Sequence, residues 1–219
     1  MRLILRGNIG RFALLAGLAA LGTLAGCRGG ASVQVENPAG YQNMSGGPLA
    51  VLEVTARPLE ESRSFSTGWS VVRNPDELGL VVETLAHMAR VEGGLDVLEP
   101  REVRRRLKKA KLEPTYAPSA EQIAAFAGEL GIACYLSAHI EERYFAYVVS
   151  KTKGVARLVV ACRVPGVDEP LWLVRTEHTA WGIDERQATA AALRQAFRTL
   201  NVMADKETGG KPEDADAGH

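Results

Sequence analysis

The 219-residue sequence has three cysteines, few aromatic residues (6%) and no excess of charge of either sign. Its 26 basic residues are matched by 26 acidic ones. It therefore lacks the basic excess with which nucleic-acid binders neutralise phosphates, and no nucleic-acid partner is expected. The apolar content of 46% excludes a disordered chain. A body of ~150 residues buries ~68–70% of its unfolded surface without disulfides or metals, so one folded domain is expected.

Signatures of catalysis, cofactors and metals are also missing. No Gly-x-Ser-x-Gly elbow, phosphate loop or dinucleotide fingerprint occurs, and the four histidines have no metal-ligand spacing. His139 and His178 fall on predicted strands and could face one side of a sheet, but satisfied structural histidines are commoner. The neighbouring acids Glu141 and Glu142 should point apart on a strand and serve as solvated charge. We therefore expect no catalytic residue, no cofactor and no metal.

The only long apolar stretch lies at the amino terminus. Three arginines precede residues 12–26, which are apolar or small and end at Cys27. This pattern is typical of a secretory signal peptide, and about 15 residues fall short of the ~20 that a membrane-spanning helix needs. The segment Leu24-Ala25-Gly26-Cys27 resembles the lipobox of bacterial lipoproteins, which are cleaved before the cysteine. The resemblance implies a signal peptide over residues 1–26 and an acyl anchor, such as palmitate, on Cys27.

The mature chain is expected at the outer membrane, facing the periplasm. Cleavage removes three arginines and no acid, which leaves 23 basic and 26 acidic residues and a formal charge of −3. In the lipoproteins that the chain resembles, an Asp after the acylated cysteine favours retention in the inner membrane. Arg28 occupies that position here.

Composition divides the mature chain into three parts. Residues 27–47 begin with the lipidated cysteine and are rich in Gly, Ser, Asn and Pro, which predicts a flexible tether with a reach of ~25 Å. Residues 48–204 carry the periodic apolar patterns of a folded α/β domain. Residues 205–219 are acidic and have no apolar periodicity, which predicts a disordered tail.

The patterns within 48–204 alternate between strand and helix periods. Helix starts are indicated by Asn74 as cap, by Pro100, by the capping box that begins at Ser119, and by Asp184. Apolar strand-like segments are found at 49–54, 95–98, 132–140, 144–149, 155–164 and 171–179, with turns expected at 152–154 and 165–168. The fold class predicted is α+β: one mostly antiparallel sheet with helices packed on it.

Two cysteines besides Cys27 lie on predicted strands. Cys134 and Cys162 are an even number in an oxidising compartment, which permits a disulfide. Buried free thiols that pack as small apolar groups are the other interpretation. The sequence leaves the choice open.

Three segments resemble a known group of envelope proteins. They are Leu49–Val54, the strand-into-helix segment Leu95–Val103, and Ala127–Leu136, which joins a helix end to a strand. Together they are similar to the fold of the TolB amino-terminal domain, shared by lipoprotein activators of penicillin-binding proteins and by the core of the curli secretion lipoprotein CsgG. The resemblance implies a non-catalytic module that docks an envelope partner. A curli-type pore is not expected, since only 146–160 offers an alternating hairpin.

Two surfaces are candidates for partner binding. The predicted helix from Arg101 to Lys111 holds seven basic residues, and Arg104, Arg105 and Lys108 are the candidates for contact with a partner. A solvated helix face also explains these charges. The loop 57–73 exceeds the usual connection length and contains Phe65 and Trp69. These aromatic residues could anchor a partner or fold back over the sheet.

Three functions follow from this reasoning. The preferred hypothesis is a lipid-anchored periplasmic adaptor that binds another envelope protein, such as a cell-wall synthase or a secretion or assembly component. The alternatives are a glycan- or lipid-binding envelope module, which would use the sheet face or the basic helix, and an envelope hydrolase.

Overall fold

A computed structural model describes residues 30–42, 44, 47–57, 77–148 and 151–207. These ranges contain five strands and five helices. The strands are β1 Gly30–Glu36, β2 Val51–Ala56, β3 Tyr135–Val148, β4 Lys151–Arg163 and β5 Trp172–Trp181. The helices are α1 Ala39–Gln42, α2 Glu77–Val91, α3 Pro100–Lys109, α4 Ala120–Leu130 and α5 Glu185–Glu207.

The strands form one sheet in the order β1-β5-β4-β3-β2. All neighbours are antiparallel except β2 and β3, which are parallel. The β3–β4–β5 meander has its strands joined by short connections, as antiparallel pairing permits. The predicted α+β class with a mostly antiparallel sheet is confirmed.

Predicted caps define two of the helices. The Ser119 hydroxyl accepts a hydrogen bond from the Gln122 amide at 3.3 Å, and the Gln122 side chain accepts from the Ser119 amide at 2.9 Å. Asp184 and Gln187 form the same reciprocal pair at the start of α5. Both capping boxes satisfy amides that the first helical turn leaves without partners.

Helices cover both faces of the sheet. On one face α2 and α5 pack over a core that includes Leu85, Leu158, Trp172 and Phe197. The opposite face carries a smaller core at the β2 end, where Leu52 and other apolar residues pack against α3 and α4. Because side chains alternate along β2, the strand contributes to both cores.

The predicted tether is wrong over most of its length. Residues 30–36 form β1, which pairs with β5 from Gly30–Thr179 to Glu36–Leu173. Val33 and Val35 pack against the larger core, and α1 follows directly. A short alternating segment gains enough burial and backbone pairing from β5 to outweigh its Gly and Ser content.

Two predicted strand boundaries are also wrong. The predicted strands 132–140 and 144–149 are not separate, since the single strand β3 runs from Tyr135 to Val148, and 152–154 lie within β4 instead of in a turn. A β-carbon on Gly154 would stand 2.5 Å from the Asp184 carbonyl oxygen, so this glycine permits a close backbone approach. Residues 95–98 make a single parallel bridge, Leu49 to Val97.

The prediction of a disordered tail is wrong for residues 205–207, which belong to helix α5. Helix α5 continues to Glu207, and Ala204 is buried in the larger core, which holds the last helical turn. The remainder of the tail lies outside the described residues.

None of the helices in the described ranges combines the length and the apolar character that a membrane span requires.

Candidate functional site: an apolar groove beside a basic helix

An open cavity of about 150 Å³ lies between α2, α3 and the segment that joins α3 to α4. Its lining is mostly apolar. The lining residues are Val51, Leu52, Val82, Pro100, Val103, Arg104, Leu107, Pro114, Thr115, Tyr116 and Phe126. We call this cavity the groove.

The buried, apolar face of α3 forms part of the floor of the groove. Val103 and Leu107 are four residues apart and both are buried, together with Phe126 of α4. Leu52 of β2 packs in the same core. The apolar stripe of α3 therefore lies beneath the groove.

One wall is the extended segment around Tyr116. The Val54 amide donates to the Tyr116 carbonyl oxygen at 2.8 Å, which ties this segment to the outer edge of β2. Across the groove, a β-carbon on Gly79 would stand 2.7 Å from the Tyr116 hydroxyl oxygen. The ring therefore lies against the start of α2, and its side chain is 38% exposed.

Several basic side chains of α3 form ion pairs with glutamates. Arg104 lines the groove and donates to Glu83 of α2 at 2.8 Å. Arg105 and Arg106 both pair with Glu102, and hydrogen bonds from Arg106 and then Arg105 lower the pKa of that carboxyl group. No ion pair involves Lys108 within the part of the chain that the structure describes.

The structure therefore separates the predicted binding residues. Of the three selected cations, Arg104 alone lines the groove, while Arg105 and Lys108 lie on exposed parts of the same helix. Cys27, Phe65 and Trp69 lie outside the described residues.

Sequence reasoning missed the apolar lining. The residues expected to bind a partner include neither the buried Val103 and Leu107 nor the segment around Tyr116. The available signal was an aromatic residue between Pro114 and Pro118, where the prolines favour an extended backbone instead of helix.

The neighbouring acids on β3 lie on the same face of the sheet, contrary to expectation. The register shifts between Ile140 and Glu142, and this bulge interrupts the alternation of side chains. Glu141 is 3.4 Å from Arg175, and Glu142 is 3.0 Å from Arg157. Each carboxylate thus has an arginine next to it on the sheet face opposite α5.

The two strand histidines lie on opposite faces. The ring Nδ1 of His139 is 2.9 Å from the Thr55 hydroxyl oxygen, on the face away from α5. His178 follows Thr176 by two residues, and Thr176 donates to the Ala192 carbonyl of α5, so His178 faces that helix. Burial lowers the pKa of His178. In the described ranges, no group of three or more His, Cys, Asp or Glu side chains is placed to hold a metal.

Comparison with known proteins identifies structural likenesses at low identity. No family model matches the chain, and no curated protein matches it. A PelC dodecamer from Paraburkholderia phytofirmans is 14% identical, with a TM-score of 0.44, and the match covers 78% of this chain and 96% of that one.

Two further solved structures are similar in the same range. Lipoprotein GNA1162 from Neisseria meningitidis is 11% identical over 72% of this chain and 97% of that one, with a TM-score of 0.44. The LpoB C-terminal domain from Salmonella enterica is 14% identical over 60% of this chain and 82% of that one, with a TM-score of 0.38. With TM-scores below 0.5, these likenesses do not assign a function.

Proposed function

We propose that the mature chain is a lipid-anchored accessory protein of the bacterial outer membrane that binds another envelope protein in the periplasm. Cys27 carries the acyl anchor, and the lipobox at residues 24–27 supports this part. The groove supports the binding part, since it combines an apolar floor with a cationic side chain in its wall.

The groove suits an apolar anchor side chain from a protein partner. Interfaces derive most of their affinity from a few such anchors in desolvated pockets, and arginine is among the residues enriched there. A cavity of about 150 Å³ accommodates one aliphatic or aromatic side chain rather than an extended ligand. The anchor would contact Leu107 and Phe126 beneath it.

The basic side chains of α3 favour a partner with acidic groups next to that apolar side chain. The Arg104–Glu83 pair has both side chains more than 40% exposed, and such surface pairs contribute about 0–1 kcal/mol. An acidic group on the partner can therefore compete for Arg104 at little cost. Lys108, one turn later and exposed, would extend the attraction. The preferred partner thus presents an apolar side chain flanked by acids.

The resemblance of three sequence segments supports a cell-wall synthase or a secretion or assembly component as the partner. The proposal contains no catalytic step. A glycan or lipid ligand on the same basic helix and hydrolysis of an envelope substrate are the competing outcomes of the experiment below.

The test is site-specific photo-crosslinking of the acylated protein in intact envelopes. A photoreactive residue at Thr115, which is exposed beside the groove, should capture one envelope protein in stoichiometric amount. The matched position is Val202 on α5, which is 53% exposed and distant in sequence from the groove elements, and it should not capture that protein. Charge reversal by Arg104→Glu with Lys108→Glu should abolish capture, whereas Lys206→Glu should not.

Three results would contradict the proposal. They are equal capture from Thr115 and Val202, no capture from a folded and acylated protein, and capture unaffected by charge reversal. Binding to purified sacculi or vesicles that is lost with Arg104→Glu, Arg105→Glu and Lys108→Glu would favour the glycan- or lipid-binding function. Turnover of a cell-wall substrate would favour the hydrolase.

A further inference from the structure

Strand β1 determines which end of the sheet lies next to Cys27. Gly30 pairs with Thr179 of β5, which in turn pairs with Val155 of β4. Two residues separate Cys27 from Gly30. Since an extended chain covers at most ~3.6 Å per residue, Cys27 lies within about 11 Å of Gly30.

The same end of the sheet presents an exposed tryptophan beside a lysine. Trp181 follows Thr179 by two residues, is paired with Lys153 across β4 and β5, and is 41% exposed. The Lys153 ammonium nitrogen is 5.9 Å from the centroid of the Trp181 ring. At ~3.3 Å per residue, these two residues lie about 7 Å beyond Gly30, within the distance that the link to Cys27 spans.

We propose that this end of the sheet lies against the lipid headgroups of the membrane that holds the acyl chains. Trp181 then occupies the headgroup layer, and Lys153 faces anionic headgroups. The inference depends on the proposed acylation of Cys27. It adds a defined orientation of the domain on the membrane. A two-residue link imposes such an orientation, whereas a 20-residue tether would not.

The chemistry of the two side chains suits this position. Tryptophan has an apolar body and a polar N–H, so it favours the boundary between hydrocarbon and water. That boundary is ~5–7 Å thick on each side of a bilayer, which matches the reach of Trp181 beyond Gly30. A lysine near an anionic surface contributes ~1 kcal/mol. The nearby carboxylate of Asp184 is already engaged, because it accepts from the Gln187 amide at 2.7 Å.

The orientation also sets the position of the groove. Val51 lines the groove and pairs with Leu136, eight residues before Tyr144, which is level with Gly30. At the rise of a strand this separation is roughly 25 Å along the sheet. The groove is thereby held away from the membrane, where a periplasmic protein reaches it.

The experiment is tryptophan quenching by lipids that are brominated close to the headgroup. The acylated protein is reconstituted into vesicles of phosphatidylethanolamine and phosphatidylglycerol. Quenching is expected in the natural protein and should be lost in Trp181→Phe. In that background Val167→Trp places a tryptophan in the connection between β4 and β5, at the opposite end of the sheet, and its emission should not be quenched.

A second pair of variants tests the charge and keeps Trp181 as the reporter. Lys153→Glu should lower the quenching of Trp181 in phosphatidylglycerol vesicles, while Lys109→Glu on α3 should leave it unchanged. Both lysines tolerate replacement without loss of core packing, since neither side chain belongs to a hydrophobic core. Far-UV circular dichroism of each variant verifies the fold.

The outcomes separate the orientation from the anchor. If the acylated protein floats with vesicles but quenching is equal in the natural protein and Trp181→Phe, the orientation is wrong and the anchor stands. Quenching of the Val167→Trp reporter would likewise overturn the orientation. If mass spectrometry finds Cys27 without acyl chains and the protein does not float, the anchor fails and this inference fails with it.

Discussion

Cys162 is a neighbour of Cys134 in the core on the sheet face that α5 covers. Both residues are buried and carry free thiols. Cys162 pairs with Leu136, two residues after Cys134, so the two cysteines are diagonal neighbours. Diagonal residues are ~7–8 Å apart, whereas a disulfide needs Cα atoms about 4.4–6.8 Å apart. The register therefore favours free thiols over the disulfide that the sequence left open.

We predict that both thiols remain reduced and protected in the folded protein. In the variant Cys27→Ala, purified without reductant, a bulky thiol reagent should label neither cysteine until denaturant unfolds the chain, and should then label two. An intact mass lower by two hydrogens, together with no labelling after unfolding, would show a disulfide and contradict this.

The interaction with Cys162 should also set the acidity of Cys134. The neighbouring Cys162 thiol lowers the pKa of Cys134 from 9.0 to about 7, while the same interaction and burial raise the pKa of Cys162. Cys162→Ala removes this interaction, so the thiolate absorbance of Cys134 should appear at higher pH than in the natural sequence. Cys134→Ala serves as the matched control, because it removes the absorbing group itself. An unchanged titration in Cys162→Ala would refute the assignment.

Removal of β1 should destabilise the domain, although the composition of 28–47 predicts a dispensable tether. A chain that begins at residue 48 loses two half-buried valines, the pairing of β1 with β5, and α1. Full burial of a valine contributes about 1.5–3 kcal/mol, so a loss of ~2–4 kcal/mol is expected for the strand. Denaturant unfolding of chains that begin at residues 28 and 48 measures this.

The carboxyl terminus provides the control for that truncation. Removing residues 208–219 tests the predicted disordered tail and should leave the unfolding midpoint unchanged. Equal midpoints for the chains that begin at 28 and 48 would mean that β1 does not stabilise the domain.

Glu92 should make stability depend on acidic pH. It is 2.8 Å from Arg198 and 3.1 Å from Arg194, and the hydrogen bond from Arg198 lowers its pKa below 4.5. A carboxyl group with a lowered folded pKa stabilises the protein above its unfolded pKa, and this contribution is lost as the pH falls through the folded value. Glu92→Gln should thus lower the melting temperature at neutral pH.

The difference between Glu92→Gln and the natural protein should vanish once the pH is below the folded pKa of Glu92. The control is Glu113→Gln, at an exposed position in the segment after α3, and at neutral pH its melting temperature should equal that of the natural protein. A Glu92→Gln effect of constant size across the acidic range would contradict the ion-pair explanation.

Local chemistry predicted the helices well because their signals lie within a few residues. Ser119 with Gln122 and Asp184 with Gln187 form the expected caps, and Pro100 begins α3. Helix boundaries of this kind depend on side chains that satisfy the first amides, and those side chains are adjacent in sequence.

The errors arose where distant backbone decides the structure. β1 depends on β5, some 140 residues later, and Gly154 belongs to a strand because it pairs with Phe145 of β3 and Ala180 of β5. The bulge after Ile140 reverses the alternation that separates Glu141 from Glu142. The groove likewise requires Tyr116 to reach the start of α2, which no local period indicates.

Two glycines on helices offer a matched test of how Tyr116 shapes the groove. Gly79 on α2 leaves no room for a β-carbon beside the Tyr116 hydroxyl, while at Gly128 on α4 a β-carbon meets nothing within 4 Å. In a helix, replacing glycine with alanine gains about 1 kcal/mol where space allows. Gly128→Ala should therefore raise the free energy of unfolding by about 0.5–1 kcal/mol. Gly79→Ala should gain less, because the tyrosine ring must move.

The displaced ring should also change the groove itself. Gly79→Ala should reduce photo-crosslinking from Thr115 to the partner. Gly128 is exposed on α4, so Gly128→Ala should leave the crosslinking unchanged. Tyr116→Ala combined with Gly79→Ala removes the steric conflict, so the double variant should gain the helix stabilisation that the single variant lacks. Equal stabilisation by Gly79→Ala and Gly128→Ala, with equal crosslinking, would show that Tyr116 does not form this wall in solution.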